Sequence, residues 1–518
     1  MHDNHLFDPG SLRRVLMFAF HFPPFALSSG VQRTLRILQH VPHLGWRPIV
    51  LSAHPRAYAT TSPDLLMDIP PDTVVEREFA LDAGRHLAVA GRYPEFLARP
   101  DRWRAWALGA IPAGLSLIRQ YQPEVIWSTY PIATAHLIAA RLHRLTGIPL
   151  VADFRDPMAQ EGYPEDPRTW QAFSSIEKDV ASSASSLVFV TPSARATYRA
   201  RYSEVANERF VMIENGFDEE FFAAAESGLN RAPLNAGRFT LLHSGIVYPL
   251  ERDPTALFAA PGRMRRNGRI NASTLRIRFR APVHDELLKQ LASQSRTLDL
   301  IEILPAIPYR DALREMLQAD GLLVMQPSNC NEQIPAKLYE YLRAQHPILG
   351  LADPAGDTGM TMHTSGVEHI ARLEDSDEVE SAMTAFLAAA CSDAPPLPLT
   401  DRLRAMSRRE RTRELATLLE RVSRGLVHAR SCQECSFGGF NVHTNRSCLR
   451  ASQCIRADPC CSLFDAVVAA LRRPQTTTWR IGRDLRKALI RLEPKRGVAH
   501  SQGVAGFNRA WSAEWIDE

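Results

Sequence analysis

Through most of the chain, short apolar runs rich in Val, Ile, Leu and Phe alternate with segments of helical period. That alternation predicts parallel strands buried on both faces and joined by helical crossovers. In the first half the strand-like runs are 15–20, 48–52, 125–129, 149–154, 186–191 and 210–214. Helical stretches lie between them at 31–41, 133–146, 172–184 and 193–202. The stretch 223–238, rich in Ala, Gly, Asn and Pro with weak periodicity, reads as a linker. The alternation then starts afresh, with strands at 239–243, 275–280, 301–304, 321–326 and 347–351. Helices are expected at 254–263, 285–295, 310–319 and 378–389. The pattern predicts two doubly wound α/β domains in tandem, 1–230 and 236–395, a charged amphipathic helix within 400–425 and an atypical tail at 426–518.

Composition narrows this picture. A chain of 518 residues is too long for one ordinary domain. Its 45% hydrophobic and 23% charged residues are those of a soluble globular protein. The net charge of +4 is small, and the first 420 residues carry no dense basic stripe, which argues against a nucleic-acid partner. No apolar run reaches the roughly 18–20 residues of a bilayer-spanning helix. The start of the chain carries Asp3 and Asp8 rather than a basic segment leading into an apolar one, so no secretory signal is expected and the cytoplasm is the expected compartment. Cys330 and Cys391 are the sparse thiols of a reducing compartment, whereas Cys432, Cys435, Cys448, Cys454, Cys460 and Cys461 crowd into the tail.

In open α/β sheets ligands bind beyond the carboxyl ends of the strands, and two such domains facing one another form a cleft. The first strand is followed by His21-Phe22-Pro23-Pro24 and a loop to Gly30, where a helix begins. Free N–H groups there suit a phosphate, although Ser28, Ser29 and Gly30 would equally serve as a helix cap. Asp153-Phe154-Arg155-Asp156-Pro157 ends another buried run. Asp153 or Asp156 is a candidate general base or binder of substrate hydroxyls, with Arg155 as charge partner; a structural Asp–Arg pair closing the loop fits as well. Glu177 on the next helix would orient one of these groups or lie on a solvated face.

The second domain opens with a strand running into Ser244-Gly245, then Arg252-Asp253-Pro254. The Arg252 guanidinium is suited to a diphosphate, or is a surface arginine. The strongest segment runs from Glu332 to Leu342, with Pro335 marking a first helical turn and Leu338 and Leu342 facing the core. Lys337 and Glu340 share another face, where a lysine with free N–H groups holds phosphates and a carboxylate accepts a vicinal diol. An ordinary Lys–Glu helix pair has the same spacing.

These residues resemble a family, the GT-B glycosyltransferases of the family 4 type, over about 15–424. Glu332 and Glu340 match its E-x7-E motif, within the string Ile334-Pro-Ala-Lys337-Leu-Tyr-Glu340-Tyr-Leu342. His21-Phe-Pro-Pro24 through Gly30, Leu44-Gly45-Trp46, Asp153-Phe-Arg-Asp-Pro157 and Asn215-Gly-Phe-Asp218 occur at family-like places. The resemblance implies a GT-B fold and a transferase taking a nucleotide-sugar donor and a sugar or lipid-linked acceptor in bacterial polysaccharide or glycolipid assembly, with retention and no cofactor or bound metal. It implies that Glu340 binds the donor ribose, that Glu332 lies near the sugar, and that Lys337 and Arg252 neutralise the diphosphate with Gly30 and Gly245 alongside. Family members commonly carry an arginine and a lysine about five residues apart after the second domain's first strand. Here only Arg252 stands there, and Lys337 supplies the second charge. The alternatives are a nucleotide-sugar epimerase of similar architecture and a non-catalytic binding protein.

Asp375-Ser-Asp377 precedes a helix and reads as a cap rather than a metal site. In the tail, Cys432-x2-Cys435 with His428 and His443 invites zinc, but Cys460-Cys461 is poor ligand spacing and no second C-x2-C follows. The abrupt change in composition fits a non-native or disordered extension better. Ile481, Leu485, Leu489 and Leu492 among arginines would suit an anionic membrane surface, as would Trp103 and Trp106 among Arg99, Arg102 and Arg104. Core aromatics beside solvated arginines are the competing reading of the second segment.

Overall fold

The computed structural model describes residues 12–435 except 26–28, 89–92, 230–231, 248 and 250–252, with Ser29 and 426–435 described in backbone only. The tail features therefore lie outside the described residues, except that the last helix runs in backbone to Cys435.

The first half runs β1 (Arg13–Phe18), α1 (Ser29–His40), β2 (Trp46–Ala53), β3 (Val74–Glu78), α2 (Ala83–His86), α3 (Ala107–Tyr121), β4 (Val125–Thr129), α4 (Ala133–Thr146), β5 (Leu150–Arg155), α5 (Pro167–Ser183), β6 (Ser186–Phe189), α6 (Pro192–Arg201), β7 (Phe210–Met212) and α7 (Glu219–Ser227). Its seven strands lie in the order β3-β2-β1-β4-β5-β6-β7, and their pairings are parallel. The second half runs β8 (Phe239–Ser244), α8 (Thr255–Arg266), β9 (Leu275–Arg280), α9 (Asp285–Gln294), β10 (Ile301–Leu304), α10 (Tyr309–Gln318), β11 (Gly321–Gln326), α11 (Ala336–Ala344), β12 (Ile348–Ala352), α12 (Asp357–Thr364), β13 (Ile370–Ala371), α13 (Ser376–Ala390) and α14 (Arg408–Cys435). Its parallel sheet has the order β10-β9-β8-β11-β12-β13.

Both sheets are doubly wound, and each reverses direction once, between β1 and β4 and between β8 and β11. At such a switch point the connecting helices leave on opposite faces, and a crevice opens beyond the strand ends. The fold thereby names two places for a ligand before any side chain is considered.

Local chemistry explains where the boundaries depart from the apolar pattern. α5 begins before 172 because Asp166 caps it and Pro167 occupies its first turn. β3 has the sequence VVERE and escapes a search for buried runs because it is a half-exposed edge strand. The stretch at 223–238 is helical as far as Ser227, started by the Asp218 side chain accepting from Glu220 and Phe221 N–H. α14 returns to the first sheet, where Leu415, Ala416, Leu418 and Leu419 pack with Val15, Val125 and Trp127.

Trp103 and Trp106 are buried against Phe20, with ring centroids 4.9 and 5.6 Å away. Core packing therefore accounts for the aromatics that suggested membrane contact in this segment. Among the described residues, no helix is long and apolar enough to cross a membrane.

His136 on α4 is fully buried, its Nδ1 2.8 Å from Ser128 Oγ and its ring 4.7 Å from Phe154. Burial pushes its pKa down to about 3 from 6.5. The unfolded chain therefore binds the extra proton between these values, and this histidine's contribution is complete above 6.5 and lost as pH falls. Relative to a His136→Gln variant, which cannot titrate, the wild-type chain should lose about 1.4 kcal/mol per pH unit below 6.5 in denaturant unfolding. Parallel pH profiles for the two proteins would contradict the assignment.

Candidate active site

At the switch point of the second sheet, β8 ends in Ser244 and the chain turns at Gly245, where φ is 124°. A side chain is strained in that conformation, and its Cβ would lie 2.8 Å from Lys337 Nζ, so the end of the lysine would have to shift away from the turn. Gly245 N–H is spent on Arg280 O at 2.8 Å, which fixes the turn against β9. Lys337 comes from the first turn of α11, entered through Pro335 in an extended conformation. Its Nζ lies 3.2 Å from His243 Nε2, and His243 Nδ1 lies 2.9 Å from Leu323 O. A carbonyl accepts only, so Nδ1 carries the proton and Nε2 presents its lone pair to the ammonium. A fully buried neutral histidine thus helps orient the lysine over the glycine turn.

One turn further along α11, Glu340 is 8% exposed and accepts a hydrogen bond from Tyr309 Oη at 2.7 Å. Burial pushes its carboxyl pKa up, while Arg408, the Tyr309 hydroxyl and Lys337 pull it back. A carboxylate in this setting has unused acceptor capacity and is little hydrated, the state in which hydroxyl donors bind it best. The Lys337–Glu340 pairing of the sequence is thus a shared electrostatic environment at the switch point.

Glu332 stands in the turn before α11 and reaches toward the first domain. Its Oε1 accepts from Thr197 Oγ1 at 3.0 Å, and its backbone carbonyl from Thr191 Oγ1 at 2.7 Å. Next to it, buried Asp357 at the start of α12 accepts from Ser193 N–H (3.0 Å) and Ser193 Oγ (2.9 Å) at the start of α6. A carboxylate facing a helix N-terminus is favourable on charge as well as hydrogen bonding. The two halves are latched through α6 beside the candidate site.

In the first half, Gly30 is buried in the first turn of α1. Asp153, 1% exposed, is paired with Arg33 of α1 (Nε to Oδ2 2.9 Å). Arg155, turned by a bulge after Asp153 and a φ of 61°, makes no ion pair with Asp153 among the described residues; its Nη1 donates to Tyr130 O at 3.2 Å, but its charge acts on Asp156. Burial pushes the Asp156 carboxyl pKa up against the pull of Arg155 and Arg33. Glu177 is fully buried rather than solvated, and it accepts from Ala159 N–H (2.8 Å) and Arg201 (2.5 Å), tying down the loop after Asp156. Asp375 caps α13, accepting from Asp377 and Glu378 N–H. Arg252 lies outside the described residues.

The structure therefore brings Gly245, Lys337 and Glu340 together, sets Glu332 against the first domain, and places Asp153 and Asp156 at the end of β5. His243, Tyr309 and Arg408 are additions that the sequence did not single out. His243 falls directly before the Ser-Gly turn, a position next to a candidate phosphate loop that would have marked it. Tyr309 and Arg408 come from segments remote in sequence, and no local pattern connects them to Glu340.

Two doubly wound parallel sheets in tandem are the arrangement of the GT-B class. Residues 29–216 match the glycosyl transferase 4-like domain. The chain is similar in structure to a sucrose-phosphate synthase from Thermosynechococcus elongatus, with a TM-score of 0.53 and 13% identity over 82% of this chain and 100% of that one. HepE of Anabaena in complex with UDP follows at a TM-score of 0.49 and 12% identity, covering 81% of this chain and 100% of that one. A glycosyltransferase from Rickettsia africae has a TM-score of 0.49 and 12% identity over 83% and 100%. No curated protein matches the chain. The chain has the GT-B fold, and its residues 29–216 match a glycosyl transferase 4-like domain.

The latch is testable on its own. Asp357→Ala should lower stability by about 1–2 kcal/mol, the usual cost of losing a helix N-terminal acceptor. It should also speed amide hydrogen exchange at Ser193. Unchanged exchange at Ser193 would show that the two helix starts are held by something else.

Proposed function

We propose that the chain transfers a hexose from a nucleoside-diphosphate sugar to a sugar or lipid-linked acceptor in bacterial polysaccharide or glycolipid assembly, with retention of anomeric configuration. The observation that carries this reading is the Lys337 ammonium seated over Gly245 and steered by neutral His243, one helical turn from the buried Glu340 carboxylate. A nucleoside diphosphate presents the complementary groups in the same order, phosphates and then a ribose diol.

In this reading Glu340 accepts from the ribose hydroxyls, and Tyr309 holds its other face. Lys337, with Arg252 seven residues after Gly245 in the sequence, meets the charge that grows on the diphosphate as the bond from anomeric carbon to phosphate oxygen breaks. The nucleoside diphosphate leaves with the bonding pair, and an acceptor hydroxyl oxygen forms the new bond to the same carbon. Asp156, whose raised pKa brings it nearer to a hydroxyl's needs, is assigned to orient that hydroxyl and take its proton. Asp153, engaged with Arg33, positions the loop carrying Asp156, and Glu332 borders the transferred sugar. The cationic side chains stand in for a resident metal, so chelation is expected to leave the rate unchanged.

Tracing of label from a panel of nucleotide sugars should show transfer to an acceptor. Lys337→Ala should lower kcat about 100-fold or more, the scale of losing one group that stabilises transition-state charge. Interconversion of donor sugars without transfer, or a Lys337→Ala enzyme of wild-type kcat, would overturn the reading.

A further inference from the structure

A cavity of about 570 Å³ lies at the far ends of α1 and α11. His40 and His43 border it from the end of α1 and the turn that follows, Arg343 from the last turn of α11, and Arg404, Arg409 and Arg413 from the approach to α14 and its first turns. At 1.5 Å rise per residue, Arg343 is about 9 Å along α11 from Lys337. The cavity is thus separate from the site already described.

Its charge is unbalanced. Four arginines line it against two glutamates, Glu219 and Glu410. Arg343 is held by Glu219 (2.6 Å) and Glu226 (2.9 Å), and Arg413 is paired with Glu410. Arg404 and Arg409 make no side-chain ion pair among the described residues, and both are exposed at the cavity edge. His40 is 6% exposed, and its ring makes no hydrogen bond among the described residues. The start of α14 adds the positive end of a helix dipole to the same wall. Like charges gathered around a cavity repel one another, and an anion bound there removes that cost.

We propose that this cavity binds a small phosphate-bearing anion, with Arg404 and Arg409 as the principal ligands and His40 and His43 in the same lining. The guanidinium fork matches phosphate oxygens, and the volume falls within the range of about 300–1,000 Å³ typical of small-molecule sites. The walls come from α1, α11 and α14, so an occupant spans the elements joining the two halves and stiffens that junction. The anion is a free phosphate compound or a lipid phosphate headgroup, which share this chemistry.

The test uses the full chain, inorganic pyrophosphate in titration calorimetry, and flotation with vesicles of phosphatidylcholine with or without phosphatidylglycerol. Pyrophosphate should bind the wild-type chain and raise its thermal midpoint. In a Lys337→Ala background, which weakens the donor diphosphate site, an added Arg404→Ala/Arg409→Ala change should weaken the remaining pyrophosphate binding about tenfold or more, equivalent to about 1.4 kcal/mol. The substituted side chains are exposed, and an unshifted thermal midpoint without ligand confirms that the variant folds; the single Arg409→Ala carries the same expected direction. Flotation with anionic vesicles alone, lost in the double variant, would identify the headgroup as the source. Pyrophosphate binding in the Lys337→Ala background that survives the Arg404→Ala/Arg409→Ala change, or binding to neither probe, overturns the proposal.

Discussion

Two arginines on one helix set the arrangement on which the rest depends. Arg33 and Arg36 of α1 are 9% and 1% exposed, and a buried guanidinium is tolerable only when its charge and its N–H groups are met. Arg33 takes Asp153 from the end of β5 and the carbonyls of Ile213 and Glu214. Arg36 takes Asp218 at 2.5 Å and lies 4.0 Å from the Phe221 ring centroid. The two together bind α1 to the chain as it leaves the first sheet for the second. Arg408 completes the junction from the returning helix, donating to Gly216 O at 2.7 Å. Gly216 allows this approach because a Cβ there would lie 2.3 Å from Met406 O.

That junction determines what the carboxylates can do. Asp153 meets the requirements of Arg33, so positioning suits it better than proton transfer, and Asp156 is left with the raised pKa. Glu340 lies close enough to Arg408 and Asp218 that its charge depends on both, so this carboxylate is tuned by the start of α14. Glu332 and Asp357 tie the other edge through α6. A site that looks local to α11 in sequence is therefore bounded by elements of both halves.

The legible and illegible parts divide on physical lines. Strands buried on both faces announce themselves as unbroken apolar runs, and β4, β9, β10 and β11 fall where the pattern places them. β3 and β13 are edge strands with little burial to encode, and they left no signal. The Lys337–Glu340 spacing was readable because both residues lie on one helix. The Arg33–Asp153 pairing was not, because a bulge and a left-handed residue redirect Arg155, and neither is written in residue type. Trp103 and Trp106 show the converse: aromatics among arginines suggest a surface, yet packing against Phe20 puts both rings in the core.

The central claim is that the switch point of the second sheet seats the nucleotide of the donor. A crystal structure of the chain with a nucleoside-diphosphate sugar tests it most directly. The account predicts ribose hydroxyls on the Glu340 carboxylate and diphosphate oxygens within hydrogen-bonding distance of Lys337 Nζ, beside the Gly245 turn. A nucleotide bound at the carboxyl ends of β1 and β4, with Glu340 still engaged only by Tyr309, would contradict it.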